Sequence, residues 1–234
     1  MLSTSGKLCI ETNSDAEGIF SAYIKNKTLK RLKLRVLKGS SLLTYSLRSD
    51  GKAETFPLQL GDGRYEITLC ENTSGKEYAK CGTVYLFIKM GDKTAPFLHA
   101  NQYVNYTEDS DLVAKARELC FGKSQKIAYD SVCQYIKTSF AYDYIKSATV
   151  KNGTLPNIDT TFIKHIGICQ DLAALTVAML RSQGIPSKLV IGYINKQYHA
   201  WTESLIDGKK VIFDPTAEIN GIGKVRNYKI ERCY

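Results

Sequence analysis

The spacing of apolar residues changes once along this chain, and that change limits the fold more than any other feature. From Lys7 to Met90, apolar and polar residues alternate in short runs: KLCIE, IFSAYIK, RLKLRVL, LLTYSLR, TFPLQL, RYEITLC and TVYLFIK. A period of two turns one face of an extended strand to a core and the other to water. Turn formers separate the runs at Asn13 to Gly18, Gly39 to Ser41, Ser49 to Lys52, Gly61 to Gly63 and Asn72 to Gly75. Short strands at this spacing predict an antiparallel sandwich.

Past GDKTAPFLHANQYVNYTEDS the period lengthens. Asp109, Ser110 or Asp111 can cap LVAKARELC, which places Leu112, Val113, Ala116 and Leu119 on one helical face. Ser124 can cap a second helix, with Ile127, Ala128, Val132, Tyr135 and Ile136 turned inward. FAYDYIKSATVKNGTLPNIDT reads as an irregular loop. The apolar segment after Cys169 predicts a helix from about Gln170 to Ser182, ended by Gly184 and Pro186. SKLVIGYI, HAWTESLI and KKVIFDPT then read as strands. Helices followed by a run of strands make an α+β domain. The expected organisation is a β-sandwich over residues 1–92 and an α+β domain over 93–234. In LGDGRYEITL, Tyr65 follows a glycine turn and opens a strand, which resembles the tyrosine corner of immunoglobulin-like sandwiches. An Ig-like accessory domain is therefore expected.

Net charge is +9. Its densest part is KNKTLKRLKLRVLK, where Arg31, Lys33 and Arg35 alternate with Leu32, Leu34 and Val36. The reading is a strand with one basic, wet face; an anionic cell-surface polymer is the alternative partner for it. No recognition helix, finger spacing or stacking pattern points to nucleic acid. No apolar run reaches the roughly 18 residues of a membrane span, and MLSTSGKLCIE does not have the form of a signal peptide. Seven cysteines are present without a CxxC. Cys70 and Cys81 flank a hairpin turn, where a bridge and two free thiols are both open readings.

Cys169 at the head of an apolar helix needs a reason. The first turn of a helix offers unpaired N–H groups and the positive end of the dipole, which favour a thiolate, the nucleophilic form of cysteine. Those N–H groups also suit an oxyanion formed when sulfur attacks a carbonyl. A proton carrier must then serve the leaving group. The chain has three histidines, His99, His165 and His199. His199 opens a strand downstream of the cysteine, and Asp214 ends the next one. Adjacent antiparallel strands can join imidazole to carboxylate, which would orient the ring and favour imidazolium.

GICQDLAALTVAMLRSQGIPSKLVIGY, HAWTES and DPT together resemble the transglutaminase-like superfamily of papain-type thiol enzymes. The resemblance covers roughly Ser110 to Thr216. It implies a papain-like core, in which the helix bearing the nucleophile packs on an antiparallel sheet. It implies Cys169 as nucleophile, His199 as general acid/base and Asp214 as orienting carboxylate, with no cofactor or metal. FAYDY resembles an upstream segment of bacterial members and implies Tyr142 near the cleft. Phe213 stands where members commonly carry Trp, and the calcium-binding insertions of animal cross-linking members have no counterpart.

The remaining residues carry plainer expectations. Trp201 shares the face of His199 and packs in the core or walls the cleft; Glu203 has the same parity and a partner nearby. Asp171 steadies the first helical turn, Gly167 admits a substrate backbone or a turn, and His165 and His99 have no site of their own. The expected activity is that of a cysteine protease acting on peptide or side-chain amides through a thioester. The alternatives are a protein-glutamine amine acyltransferase and a catalytically idle binding module. Water at about 55 M favours hydrolysis unless the site excludes it. The resemblance to bacterial members with sandwich domains suggests an extracellular or cell-envelope setting.

Overall fold

The computed structural model describes residues 1–12, 17–151, 153–223 and 227–234. The break expected from Asn13 to Gly18 lies in part outside them, at residues 13–16. Two compact units result, Met1–Pro96 and Phe97–Tyr234.

The described residues of the first unit hold eight strands: β1 (Leu2–Ser5), β2 (Leu8–Glu11), β3 (Ile19–Ile24), β4 (Leu32–Lys38), β5 (Ser41–Leu47), β6 (Glu54–Pro57), β7 (Gly63–Ser74) and β8 (Glu77–Ile88). They form two four-stranded antiparallel sheets, ordered β1-β2-β3-β6 and β5-β4-β7-β8. Along β4, Leu32, Leu34 and Val36 are buried while Arg35 is exposed, so the alternation sorts apolar from basic side chains as the period requires. Phe56 gathers the core between Phe20 and Tyr45, at ring separations of 5.5 and 5.2 Å. Tyr65 is fully buried, and its hydroxyl lies 2.9 Å from the Leu58 carbonyl and 2.7 Å from that of Gly61, the local bond expected of a tyrosine corner. Lys80 stands opposite Cys70, and an irregularity in the β7–β8 ladder leaves Cys81 out of step. The two sulfurs therefore do not face one another, and all seven cysteines are free thiols.

The second unit begins with α1 (Asp111–Cys120) and α2 (Gln125–Ser139). Neither Ser110 nor Ser124 caps through its side chain. Ser110 Oγ instead accepts from the Thr107 N–H at 3.0 Å. Ile127 is 54% exposed, so its expected place in the core is corrected; Ala128, Val132 and Ile136 do face inward. The segment read as an irregular loop contains β9 (Ala141–Tyr142), α3 (Tyr144–Thr149) and α4 (Ile158–Lys164). Asp143 and Asn157 cap the two helices, accepting from Lys146 N–H and Thr160 N–H.

After β10 (Ile166–Gly167) comes α5 (Cys169–Arg181), whose residues from Asp171 to Arg181 are all buried. Such a helix needs packing on every side. It receives that from α1, α2, α4 and α6 (Pro215–Ile219), and from two strands of the sheet. Gly184, at φ +71°, ends it; its N–H reaches the Arg181 carbonyl and the Ile185 N–H that of Leu180. The sheet is antiparallel, ordered β13-β12-β11-β14, from β11 (Ser187–Ile194), β12 (Gln197–Ile206), β13 (Lys209–Phe213) and β14 (Tyr228–Cys233). Its core includes the fully buried Leu189, Val190 and Trp201. Among the described residues no helix is long and apolar enough to cross a membrane.

Candidate functional site

The site forms where the head of α5 meets the sheet. The register of β12 and β13 puts Thr202 opposite Phe213, so the chain leaves β13 beside the stretch holding His199. Asp214 is the N-cap of α6, with Oδ1 accepting from the Ala217 N–H at 3.1 Å. The other oxygen, Oδ2, lies 2.9 Å from His199 Nε2. With Nε2 so engaged, Nδ1 is the ring nitrogen left for a second partner, and the Cys169 sulfur shares the cleft with the imidazole, near enough to favour its charged form. The structure thus brings together three side chains that lie far apart in sequence.

The His199 side chain is only 12% exposed, and burial alone would lower its pKa. The Asp214 carboxylate and the Cys169 sulfur outweigh that cost and raise it to about 9. The ring is therefore imidazolium at neutral pH, held between an anion and a sulfur. A folded-state pKa above the unfolded value near 6.5 contributes stability that is fully present below pH 6.5 and is lost as pH rises through 9. The difference in Tm between the native chain and His199→Gln is expected to shrink over that window. A difference that stays constant from pH 6 to 9.5 in calorimetry would contradict the assignment.

Cys169 and His199 open into one cleft of about 580 Å³. One wall comes from Tyr142, Ser147 and Thr154, and the other from Ile191, Tyr193 and Tyr198. Tyr142 is carried there by a two-residue parallel ladder, in which Gly167 pairs with Tyr142 and the Asp143 N–H donates to the Gly167 carbonyl at 3.0 Å. Its hydroxyl lies 3.0 Å from Ser147 Oγ, and burial raises its pKa, so the phenol stays a donor at neutral pH.

Asp171 has no exposed surface, and it is more than an end-of-helix charge. Oδ2 accepts from the Ile168 N–H at 3.0 Å and from Lys146 Nζ at 2.6 Å. Lys146 balances the charge and ties α3, with Ser147, to the helix bearing the cysteine. Gly167 is needed for packing: a Cβ there would lie 2.9 Å from both Asp171 Cβ and Thr161 Cγ2.

Trp201 is wholly buried behind the histidine, with ring centroids 6.4 Å apart, and does not line the cleft. Glu203 stands away from the cleft; its carboxylate accepts from Lys210 Nζ at 2.9 Å. His165 ends α4 at φ +54°, with Nδ1 2.8 Å from the Ser139 carbonyl and its ring stacked on Phe140. His99 contributes its carbonyl to the buried Arg181. Among the described residues no cluster of three or more His, Cys, Asp or Glu is arranged to hold a metal ion.

Residues 114–215, all within the second unit, match the model of the transglutaminase-like superfamily. A comparison with curated proteins finds no match. Among solved structures, the whole chain aligns with 90% of a candidate cysteine protease from Cytophaga hutchinsonii at 14% identity and a TM-score of 0.46. A TGase aligns with 53% of this chain at 18% identity and a TM-score of 0.43. A candidate protease from Parabacteroides distasonis aligns with 79% at 15% identity and a TM-score of 0.39. This chain spans 37% of each of those last two proteins.

Proposed function

We propose that the second unit is a thiol enzyme that cleaves peptide or side-chain amides by acyl transfer. The observation carrying the proposal is His199, bonded to Asp214 at 2.9 Å and opening with Cys169 into one cleft. Cys169 sulfur attacks the carbonyl carbon, and the first-turn N–H groups of α5 together with the Tyr142 hydroxyl face the oxyanion. The imidazolium of His199 gives its proton to the departing amine, leaving a thioester. Neutral His199 then takes a proton from water as water attacks the thioester, which frees the acid and restores the thiolate beside imidazolium. Asp214 holds the ring in place throughout.

Hydrolysis fits the cleft better than amine transfer. Cys169 is itself partly exposed, and Lys151, Thr154 and Tyr198 on the rim are solvent-exposed, so water reaches the acyl group. On this reading the first unit is an accessory domain and the partner is a protein or peptide.

The test is to mix the full chain with a library of peptide p-nitrophenyl esters and quench within one turnover. A mass increase equal to the acyl group on the peptide containing Cys169, absent from Cys169→Ala, is expected. If no acyl adduct forms, and Cys169→Ala binds the same peptides as tightly as the native chain, the fold is serving as a binding module.

A further inference from the structure

β14 runs along the open edge of β11, and its first residue reaches the site from a side the enzyme reading leaves unused. Tyr228 packs its ring on Trp201 at 4.7 Å between centroids, and Trp201 backs His199. The Tyr228 hydroxyl lies 3.4 Å from Asp214 Oδ2, the oxygen that also accepts from His199. We infer that Tyr228 is a positioning residue for the site, its hydroxyl donating to Asp214 so that the carboxylate stays aimed at His199. The inference rests on the enzyme reading above and adds a fourth side chain to it.

The chain is built to put Tyr228 there. Pairing of β11 with β14 slips between Ile191 and Gly192, so that Ile191 faces Arg232 while Gly192 faces Ile230. Gly192 makes the slip possible. A Cβ at that position would lie 2.1 Å from the Lys229 carbonyl oxygen and 3.0 Å from Trp201 Cη2. Its bare backbone lets β14 close over the strand while Trp201 sits beneath, and so brings Tyr228 into contact with both the indole and the carboxylate.

Asp214 is only 6% exposed, so its carboxylate oxygens find their partners within the protein. The described structure gives it three: the Ala217 N–H on Oδ1, and His199 and Tyr228 on Oδ2. The titratable groups around it are His199 on β12, Cys169 at the head of α5, Glu218 on α6 and Tyr228 itself. Glu218 is paired with Lys137 of α2 at 2.6 Å, which tempers its repulsion of the carboxylate. Burial is the largest cause holding the Tyr228 pKa well above that of free phenol, with the anion of Asp214 next, so the hydroxyl keeps its proton across the working range.

The test compares the full chain with its Tyr228→Phe variant, which keeps the ring on Trp201 and removes only the hydroxyl. Cys169 is alkylated with iodoacetamide from pH 4 to 9, a readout that needs no substrate. With one donor gone, the carboxylate is held less firmly against His199 and favours imidazolium beside the sulfur less. The acid edge of the alkylation profile is therefore expected to move to higher pH, with a rate about threefold lower at the native chain's midpoint. Superimposable profiles, or an edge moved to lower pH, would overturn the role of Tyr228. A native profile that climbs only near the free-thiol range of about 8.5 would instead sink the enzyme reading itself.

Discussion

His199→Ala is expected to lower the rate at which a peptide ester acylates Cys169 by about 10²–10⁴-fold, the usual contribution of a positioned acid/base. The physical case is one of scarcity. Among the described residues lining the cleft with the sulfur, His199 is the one bonded to a buried carboxylate. The other charged groups of the cleft are committed or unsuitable: Glu231 is paired with Arg232 at 2.6 Å, and Lys151 is a solvated rim cation. Burial raises the pKa of the Tyr142 phenol, so it does not act as a base near pH 7. Without imidazole, the thiol has no proton acceptor and the amine no donor. Asp214→Asn is expected to cost less, since the ring would remain beside the sulfur but lose the anion that favours its charged form. Burst kinetics on both variants check this. A His199→Ala chain acylated within threefold of the native rate would remove the histidine from the mechanism.

Much of this arrangement can be read before any coordinates, because the signals are local. Leu32, Leu34 and Val36 report a strand by alternation alone, and they are buried. Gly184 and Pro186 mark the end of α5 through their backbone chemistry, and the helix ends at Arg181. Cys169, His199 and Asp214 are legible through element order: a helix start, then two adjacent strands, the second ending at an Asp that caps the next helix. What escapes is non-local or short. The four residues of β1 and the six or seven of α3 and α4 are too few for a period to show. β14 is an edge strand whose side chains are mostly exposed, so no apolar alternation announces it, although it carries Tyr228. Parity along β12 placed Glu203 with His199, yet Lys210 on the neighbouring strand draws its carboxylate elsewhere. The bond between Lys146 and Asp171 joins residues 25 apart, and nothing in either neighbourhood signals it.

That bond carries the second large expectation. Lys146→Met is expected to destabilise the second unit by about 3 kcal/mol, the lower end of the cost of stranding a buried charge. Asp171 is completely buried, and without the ammonium its carboxylate keeps only backbone donors, from Ile168 at 3.0 Å and Asn157 at 3.4 Å. The lysine side chain is 32% exposed, so solvent already screens part of the pairing; this is why the lower end applies. Two further effects follow from where the pair sits. The stranded charge lies two positions from Cys169, so it opposes a negative sulfur and slows alkylation near neutral pH. Losing the tie also frees α3, which positions Ser147 against the Tyr142 hydroxyl. Asp171→Asn in the same chain removes the charge while keeping an acceptor for the Ile168 N–H. The double variant is therefore expected to recover most of the stability and the alkylation rate, giving a strongly non-additive cycle. Urea unfolding and iodoacetamide kinetics on the four chains measure both couplings. Additive losses would mean that Asp171 and Lys146 act separately, with the charge at the head of α5 balanced by some other means.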